Sequence, residues 1–393
     1  MAYDKVVDSA SLDSKLTQVA DAIRTKGNTS ADLQFPSGFI SAIQAIQTGT
    51  ELKIIVSVTS GATVTATKGS LSVSGTSVNN SCTLTVPEEG DWTVSATLSG
   101  QTSDSNIVNV VSSYNTALVF TSTTLNDNSW EAIRKVSDAG TGANYWSIGD
   151  RKAVDIAGYI GKQMVVGTYY AYIIGFNHNS IKEGNGITFG TFKTALSGGT
   201  DICLVDVKYA SYSTDGTRYF NMNHSSNTNA GGWKGCDLRY DVLGSTDTKD
   251  GDATVTTATQ PIANTLIAAF PSDLCAVMQP MTIYTDNTGG GSDNASYVTK
   301  TTDYLPLLGE YEIFGTRTYA NSAEKNYQAQ YAYYSAGNSK VKYRHSATSS
   351  TAWWWGRSSY CNNGFSFCVV GTSGGASYSN AGTSFGVAPI FRV

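Results

Sequence analysis

Only three histidines occur among 393 residues, which leaves little room for His-based catalysis or a His-rich metal site. The six cysteines (Cys82, Cys203, Cys236, Cys275, Cys361 and Cys368) form no CxxC pair, so the ligand spacing of a zinc site is missing. Cys361 and Cys368 could face each other across a hairpin, but synthesis in a reducing cytosol favours buried free thiols. Charge is also scarce. Lys and Arg number 26 and Asp and Glu 31, 15 % of the chain together, for a net charge of −5; a strongly basic nucleic-acid binder and a long acidic tail are both excluded. No stretch approaches the ~18 apolar residues of a membrane helix, and no basic segment with an apolar core follows Met1. The expectation is a protein made in a cytosol without the usual export signal and not inserted in a membrane.

What the chain does have is 40 % hydrophobic residues, 39 glycines and 23 tyrosines, with the remaining polarity supplied by Ser, Thr and Asn. A chain this aromatic and this short of charge reads as folded and strand-rich, with an uncharged polar surface.

Three segments follow from the patterning. Over residues 1–50, Leu12, Leu16, Val19, Ala20 and Ile23 fall on one helical stripe that Gly27 ends. Pro36 opens a second helix, with Phe39, Ile40, Ile43 and Ile46 on its apolar face before Gly49. Two such short helices cannot bury their stripes alone, so they associate with copies of themselves, dock on a partner, or pack onto the next domain. Over 51–113 the period changes to two: Leu52–Val58, Cys82–Val86 and Trp92–Thr97 read as strands, with a turn at Pro87–Asp91. This predicts a small all-β immunoglobulin-like sandwich acting as a spacer.

Residues 114–393 read as a large α+β domain. Trp130, Ile133 and Val136 share a helical face, and a helix is expected over 260–270 with Ile262, Leu266, Ile267 and Phe270 inward and Pro271 as its stop. Tyr169–Phe176 and Ser366–Val370 read as strands.

Several motifs stand in order along this third segment: Tyr145–Asp150 (YWSIGD), Ile173–Asn179 (IIGFNHN), Gly232–Arg239 (GWKGCDLR), Phe270–Leu274 (FPSDL), Asp303–Gly315 (DYLPLLGEYEIFG), Trp353–Ser358 (WWWGRS) and Phe385–Val393 (FGVAPIFRV). Together they resemble an uncharacterised domain family that recurs in phage tail proteins and prophage-encoded proteins of gut bacteria. The third tryptophan and Gly356 depart from the bulky residue many members carry, a change expected to alter the local surface. The C-terminal part is similar to the C-type-lectin-like fold, shared with the variable proteins of diversity-generating retroelements and with formylglycine-generating enzymes. The opening helices, with Ala22–Gly27 (AIRTKG) and Phe35–Phe39 (FPSGF), resemble the N-terminal segment of tail proteins of phages infecting Gram-positive bacteria. The resemblance implies a receptor-binding protein of the virion tail or baseplate, and a homotrimer is expected because tail tips present repeated copies and weak single-site binding gains from multivalency. It would be synthesised in the host cytoplasm, act extracellularly, and join other tail proteins through the N-terminal helices.

From Tyr319 to Asn380 aromatic residues interleave with Asn, Ser and Gly, the composition of a binding surface: rings supply rigid contact area and amides adapt their hydrogen bonds. A host cell-surface glycan or protein is the expected ligand. Ligand contacts in lectin-like domains cluster on the late loops, so the candidates are Trp354, Arg357, Ser358, Ser359, Tyr360, Asn362, Asn363, Phe365, Tyr378, Ser379 and Asn380. The competing reading puts the tryptophans in the core. Asn, Tyr and Ser are also the residues that adenine-directed mutagenesis of Asn codons produces, so a diversified surface is a further reading.

No cofactor, metal or catalytic residue is expected. Asp247–Asp252 offers oxygen ligands for Ca²⁺ but lacks the spacing and terminal Glu of the calcium loop. Glu310 and Glu312, two apart on an expected strand, could form the carboxylate pair of a glycosidase or polysaccharide depolymerase, though structural hydrogen bonding suits them better. His178 and His224 have no recognisable nucleophile partner. A purely structural tail decoration protein is the remaining alternative.

Overall fold

A computed structural model describes residues 9–45, 51–99, 101–161, 163–206, 220–224, 226–244 and 258–393. The Asp247–Asp252 segment, Ile46 and Gly49 lie outside the described residues. The protein is a mixed α and β, strand-rich chain with few and mostly short helices and several separate sheets. It divides into two compact units, 1–119 and 120–393.

The first unit opens with α1 (Ser9–Gly27) and α2 (Ser37–Ala45). The hairpin buries Ala20, Ile23 and Phe39 together, with Leu16, Leu33 and Ala42 partly covered. The rest of the expected stripe remains exposed: Leu12, Val19, Ile40 and Ile43 each keep about half their surface. Two helices provide only one mutual contact face, and both apolar stripes are wider than that face.

Eight strands follow: β1 (Lys53–Ser57), β2 (Thr63–Lys68), β3 (Leu71–Thr76), β4 (Ser81–Thr85), β5 (Gly90–Leu98), β6 (Gln101–Thr102), β7 (Asn106–Val110) and β8 (Ser113–Ala117). They form one sheet in the order β4-β1-β8 and another in the order β3-β2-β5-β6, with β7 paired to β5. Period-two burial is regular: Ile54, Val56, Val64, Ala66, Leu84, Trp92, Val94 and Val108 point inward between polar Ser and Thr. β8 pairs in parallel with β1, which places the end of this unit at 119, past the expected boundary at 113.

In the second unit α3 (Trp130–Asp138) starts where Ser129 accepts a hydrogen bond from the Ala132 backbone N–H. β9 (Arg151–Ile160), β10 (Gln163–Phe176), α4 (Ser180–Glu183) and β11 (Ile187–Lys193) come next. In place of the helix expected over 260–270 there is only α5 (Leu266–Ala269). Asn264 takes a left-handed φ of 62°, which a helix cannot carry through, and the residue before Pro271 is forced into extended backbone. Leu266 and Ile267 are still fully buried.

α6 (Ser272–Val277), β12 (Met281–Asp286), β13 (Val298–Asp303), α7 (Glu310–Phe314), α8 (Ala332–Ser335), β14 (Lys342–Tyr343), β15 (Thr351–Ala352), β16 (Trp354–Ser359), β17 (Ser366–Val370), β18 (Ala376–Asn380) and β19 (Phe391–Arg392) complete the unit. β19-β11-β10-β9 form one sheet and β16-β17-β18 another, while β12-β13 and β14-β15 are two-stranded. One continuous core joins them, from Trp130 and Phe189 to Trp355 and Phe391.

Several of the sequence motifs are stitches in this core. The indole of Trp233 donates to Asp303 Oδ2 at 3.0 Å, and buried Arg239 pairs with Oδ1 of the same carboxylate at 2.7 Å. Glu310 and Glu312 lie in α7 and not on a strand. Gly309 caps that helix, Gly315 ends it with a φ of 70°, and Glu312 accepts the Gly309 N–H at 2.9 Å.

Candidate functional site

The sheet β16-β17-β18 separates the eleven candidate residues into an interior set and a surface set. Every residue of β16 is buried. Trp354 has no solvent exposure and its indole donates to the Lys340 carbonyl at 3.0 Å. Arg357, equally buried, makes a two-point ion pair with Glu312 (2.6 and 2.5 Å) and donates to the Leu307 carbonyl. Burial alone would lower its pKa, but Glu312 overcomes this and raises it. Ser358 accepts from the Glu310 N–H and donates to Glu324 Oε2 at 2.6 Å. Trp354, Arg357, Ser358 and Ser359 are therefore withdrawn as ligand contacts: fully enclosed side chains cannot reach a ligand at the surface. Gly356 is interior too. A Cβ there would come 3.2 Å from the Leu308 carbonyl oxygen, so its presence shapes packing and not the surface expected to change.

Tyr360, Asn362, Asn363, Phe365, Tyr378 and Asn380 keep exposed or half-buried side chains, whereas Ser379 turns to the other face of β18, opposite buried Phe367. Tyr378 is 44 % exposed and braced by two half-buried rings. Tyr319 meets it edge-on at a centroid distance of 5.0 Å and Tyr360 lies tilted at 4.5 Å; Tyr319 and Tyr360 are 5.3 Å apart. Tyr378 and Asn380 share a face of β18, opposite Cys368 and Ser366 of β17. Phe365, 57 % exposed, stands just before β17. Asn362 and Asn380 are exposed, and Asn363 and Ser379 half-buried.

Each asparagine directs its side-chain oxygen inward. Asn363 accepts the Phe365 N–H at 2.7 Å, Asn380 accepts the Ser366 hydroxyl at 3.1 Å, and Asn362 accepts from the Cys361 thiol.

The sequence reading missed the residue that holds this surface in place. Asn229 is completely buried, and its amide NH₂ donates to the carbonyls of Asn363 (2.8 Å), Ser366 (2.7 Å) and Tyr360 (3.3 Å). Its Oδ1 accepts the Gly290 N–H at 2.8 Å and its backbone N–H bonds Gly364. Thr228 adds a hydroxyl bond to the Gly364 carbonyl at 3.0 Å. Side chains over 130 residues away in sequence thus fix the backbone of the 360–366 loop, and glycines make the approach possible. A Cβ on Gly289 would meet the Asn229 carbonyl oxygen at 1.8 Å, and one on Gly291 the Gly364 nitrogen at 2.7 Å.

Buried carboxylates underlie the same loops. Glu310 accepts the backbone N–H groups of Tyr319 and Ala320. Glu324 accepts from Thr285, Asp286 N–H, Gln328 and Ser358; even so, burial raises its pKa. Both acids named as a possible catalytic pair are spent on the fold, Glu310 on the 319–320 backbone and Glu312 on Arg357. Near the rings, Arg317 and Asp293 pair at 2.8 Å. Burial alone would raise the Asp293 carboxyl, but the Ser322 N–H and Arg317 hold it below its usual value.

All six cysteines are buried free thiols. Burial pushes the Cys361 thiol up and Cys368 far up, the latter with the added charges of Glu310 and Glu324. The ring of His178 stacks on Tyr331 at 3.6 Å, and His224 sits 3.3 Å from Asp241.

Residues 203–393 match the family described as a domain of unknown function, DUF6273. The matched stretch contains the three tyrosines, Asn229 and the whole of β16-β17-β18. No curated protein and no solved structure matches the chain.

Proposed function

We propose that this protein is a phage tail or baseplate receptor-binding protein that contacts the host cell surface through the loops around Tyr319, Tyr360, Phe365 and Tyr378. One observation carries the reading: an exposed aromatic ring braced by two others, rimmed by exposed asparagines, on loops whose backbone is fixed from beneath. Such pre-organisation lowers the entropy cost of binding and suits a recognition surface. The resemblance of the Tyr145–Val393 motifs to domains of phage tail and prophage proteins supports it. On this reading the second unit is a C-type-lectin-like receptor-binding domain, the strands of 51–113 an immunoglobulin-like spacer, and the opening helices a trimerising attachment to other tail proteins. The exposed Leu12, Val19, Ile40 and Ile43 give that attachment apolar surface to cover.

The test is binding of the fluorescent full-length chain to a panel of gut bacteria, with reducing-end release from their isolated wall glycans assayed in parallel. Binding to some strains, lost in Tyr378→Ala and without released sugar, supports the adhesin. Sugar release would establish a depolymerase, and no binding to any strain would leave a structural tail protein.

A further inference from the structure

We propose that the ligand of the tyrosine surface is an uncharged saccharide, its ring stacked on Tyr378 and its oxygens bonded by the amide groups of Asn362, Asn363 and Asn380. This inference rests on the receptor-binding reading and narrows its ligand.

The first argument is the ring. Tyr378 keeps 44 % of its surface exposed, and its edge-on and tilted neighbours Tyr319 and Tyr360 hold it in one orientation. A rigid aromatic plane suits the flat apolar C–H face of a pyranose, and little rotamer freedom is lost on contact. Phe365, a second exposed ring, stands just before Ser366, the β17 residue that pairs with Asn380.

The second argument is donor polarity. All three asparagines use their oxygens within the loops, so the groups left to face a ligand are amide NH₂ donors. Sugar hydroxyl, ring and N-acetyl carbonyl oxygens are acceptors that match them.

The third argument is charge. Neutral donors serve an anion as well, so the local field decides between the two. The charged pair beside the rings, Arg317 and Asp293, is mutually neutralised. Beneath the loops lie Asp286 and Glu310, both buried, and Glu324, whose carboxyl pKa is raised by burial against the charge of Arg357, while Arg357 itself is paired with Glu312. The balance under this surface is therefore negative, and the chain as a whole carries −5. An anionic polymer would be repelled, whereas a recognition site for one needs an excess of Arg or Lys.

The experiment uses the full-length chain on an array of immobilised neutral saccharides (hexose, deoxyhexose and N-acetylhexosamine oligomers) beside sialylated, uronic-acid and glycerol-phosphate polymers. Strains bound in a Tyr378-dependent manner serve as the positive reference. The expected result is retention by one or more neutral saccharides, changed less than about twofold between ~0.05 and ~0.5 M salt because no net charge is neutralised. Retention should fall at least about tenfold in Tyr378→Ala and in Phe365→Ala, each with a melting curve like the parent's. Retention by the anionic polymers alone, or a salt-dependent loss of about tenfold or more, would overturn the uncharged ligand while leaving receptor binding intact. Tyr378-dependent cell binding with no saccharide retained would overturn the sugar and indicate a protein receptor. Absence of cell binding would instead defeat the receptor-binding reading.

Discussion

Arg357 and Glu312 illustrate how one side chain can be read two ways. An arginine following three tryptophans suits a ligand site as well as a core. What decides it is a carboxylate 45 residues earlier that meets the guanidinium at two points inside the protein. Breaking such a pair leaves an uncompensated buried charge, so Arg357→Ala is expected to cost about 3–5 kcal/mol in denaturant unfolding of the 120–393 unit. Trp354→Ala should cost a similar ~3–5 kcal/mol through its cavity. If either variant lost ligand binding with unchanged stability, its placement in the core would be wrong. Asn362 and Asn380 were legible as surface because Asn is mostly exposed, but residue type alone did not sort the tyrosines: Tyr378 is exposed while Tyr331, Tyr333 and Tyr334 of the same stretch are buried. Asn229 was not legible. A single asparagine in a polar loop carries no mark of the carbonyls it will hold, and its partners lie more than 130 residues on. Asn229→Ala strands those carbonyls, and its expected cost is about 1–3 kcal/mol with a further loss of binding from the loosened loop.

Among the elements, alternation was a sound guide wherever a strand buries one face. Cys82–Val86 and Ser366–Val370 were read within a residue of β4 and β17. It failed at Glu310–Glu312. There a glycine at each end and the return of Glu312 to the Gly309 N–H make a five-residue helix, too short for helical periodicity to show. The helix expected over 260–270 shrank for a related reason: Asn264 and Pro271 punctuate the chain more closely than its apolar spacing suggests. The 360–366 loop depends on close approach to the 289–291 glycines. Gly289→Ala, at a left-handed φ of 64° and facing the Asn229 carbonyl, should destabilise by more than about 1 kcal/mol. The same variant should weaken cell binding beyond its effect on melting temperature. Normal stability together with normal binding would contradict the account of how that loop is held.

At the scale of the whole molecule, the change from helical stripes to period-two strands after residue 50 was readable in the sequence, whereas the structure divides the chain into two compact units and not three segments. The arrangement of the large region was not readable, because its sheets join strands distant in sequence, as β11 joins β19. One global property follows from a single buried acid. Glu183 is held by Asn179 at 2.9 Å, and burial first, then the charge of Glu312, raises its pKa from 4.5 to about 8 against the opposing effect of Arg357 and Arg392. Folding favours the protonated acid. Its contribution is thus fully present below pH 4.5 and is lost as the pH climbs to about 8. Glu183→Gln should lose less stability than the parent over that window; parallel pH profiles of the two proteins would refute it. The exposed apolar residues of α1 and α2 belong to this scale as well. Light scattering is expected to give a trimer for the full chain and a monomer for Leu12→Asp/Ile40→Asp, and a monomeric parent would rule out that assembly.

The central claim is recognition of a host surface through the braced tyrosine. Its most direct test is cell binding by the full-length chain and by Tyr378→Ala, compared on the same panel of gut bacteria. The account predicts saturable binding to particular strains, reduced at least about tenfold in a variant that melts like its parent. Equal binding by both proteins, or none by either, would contradict it.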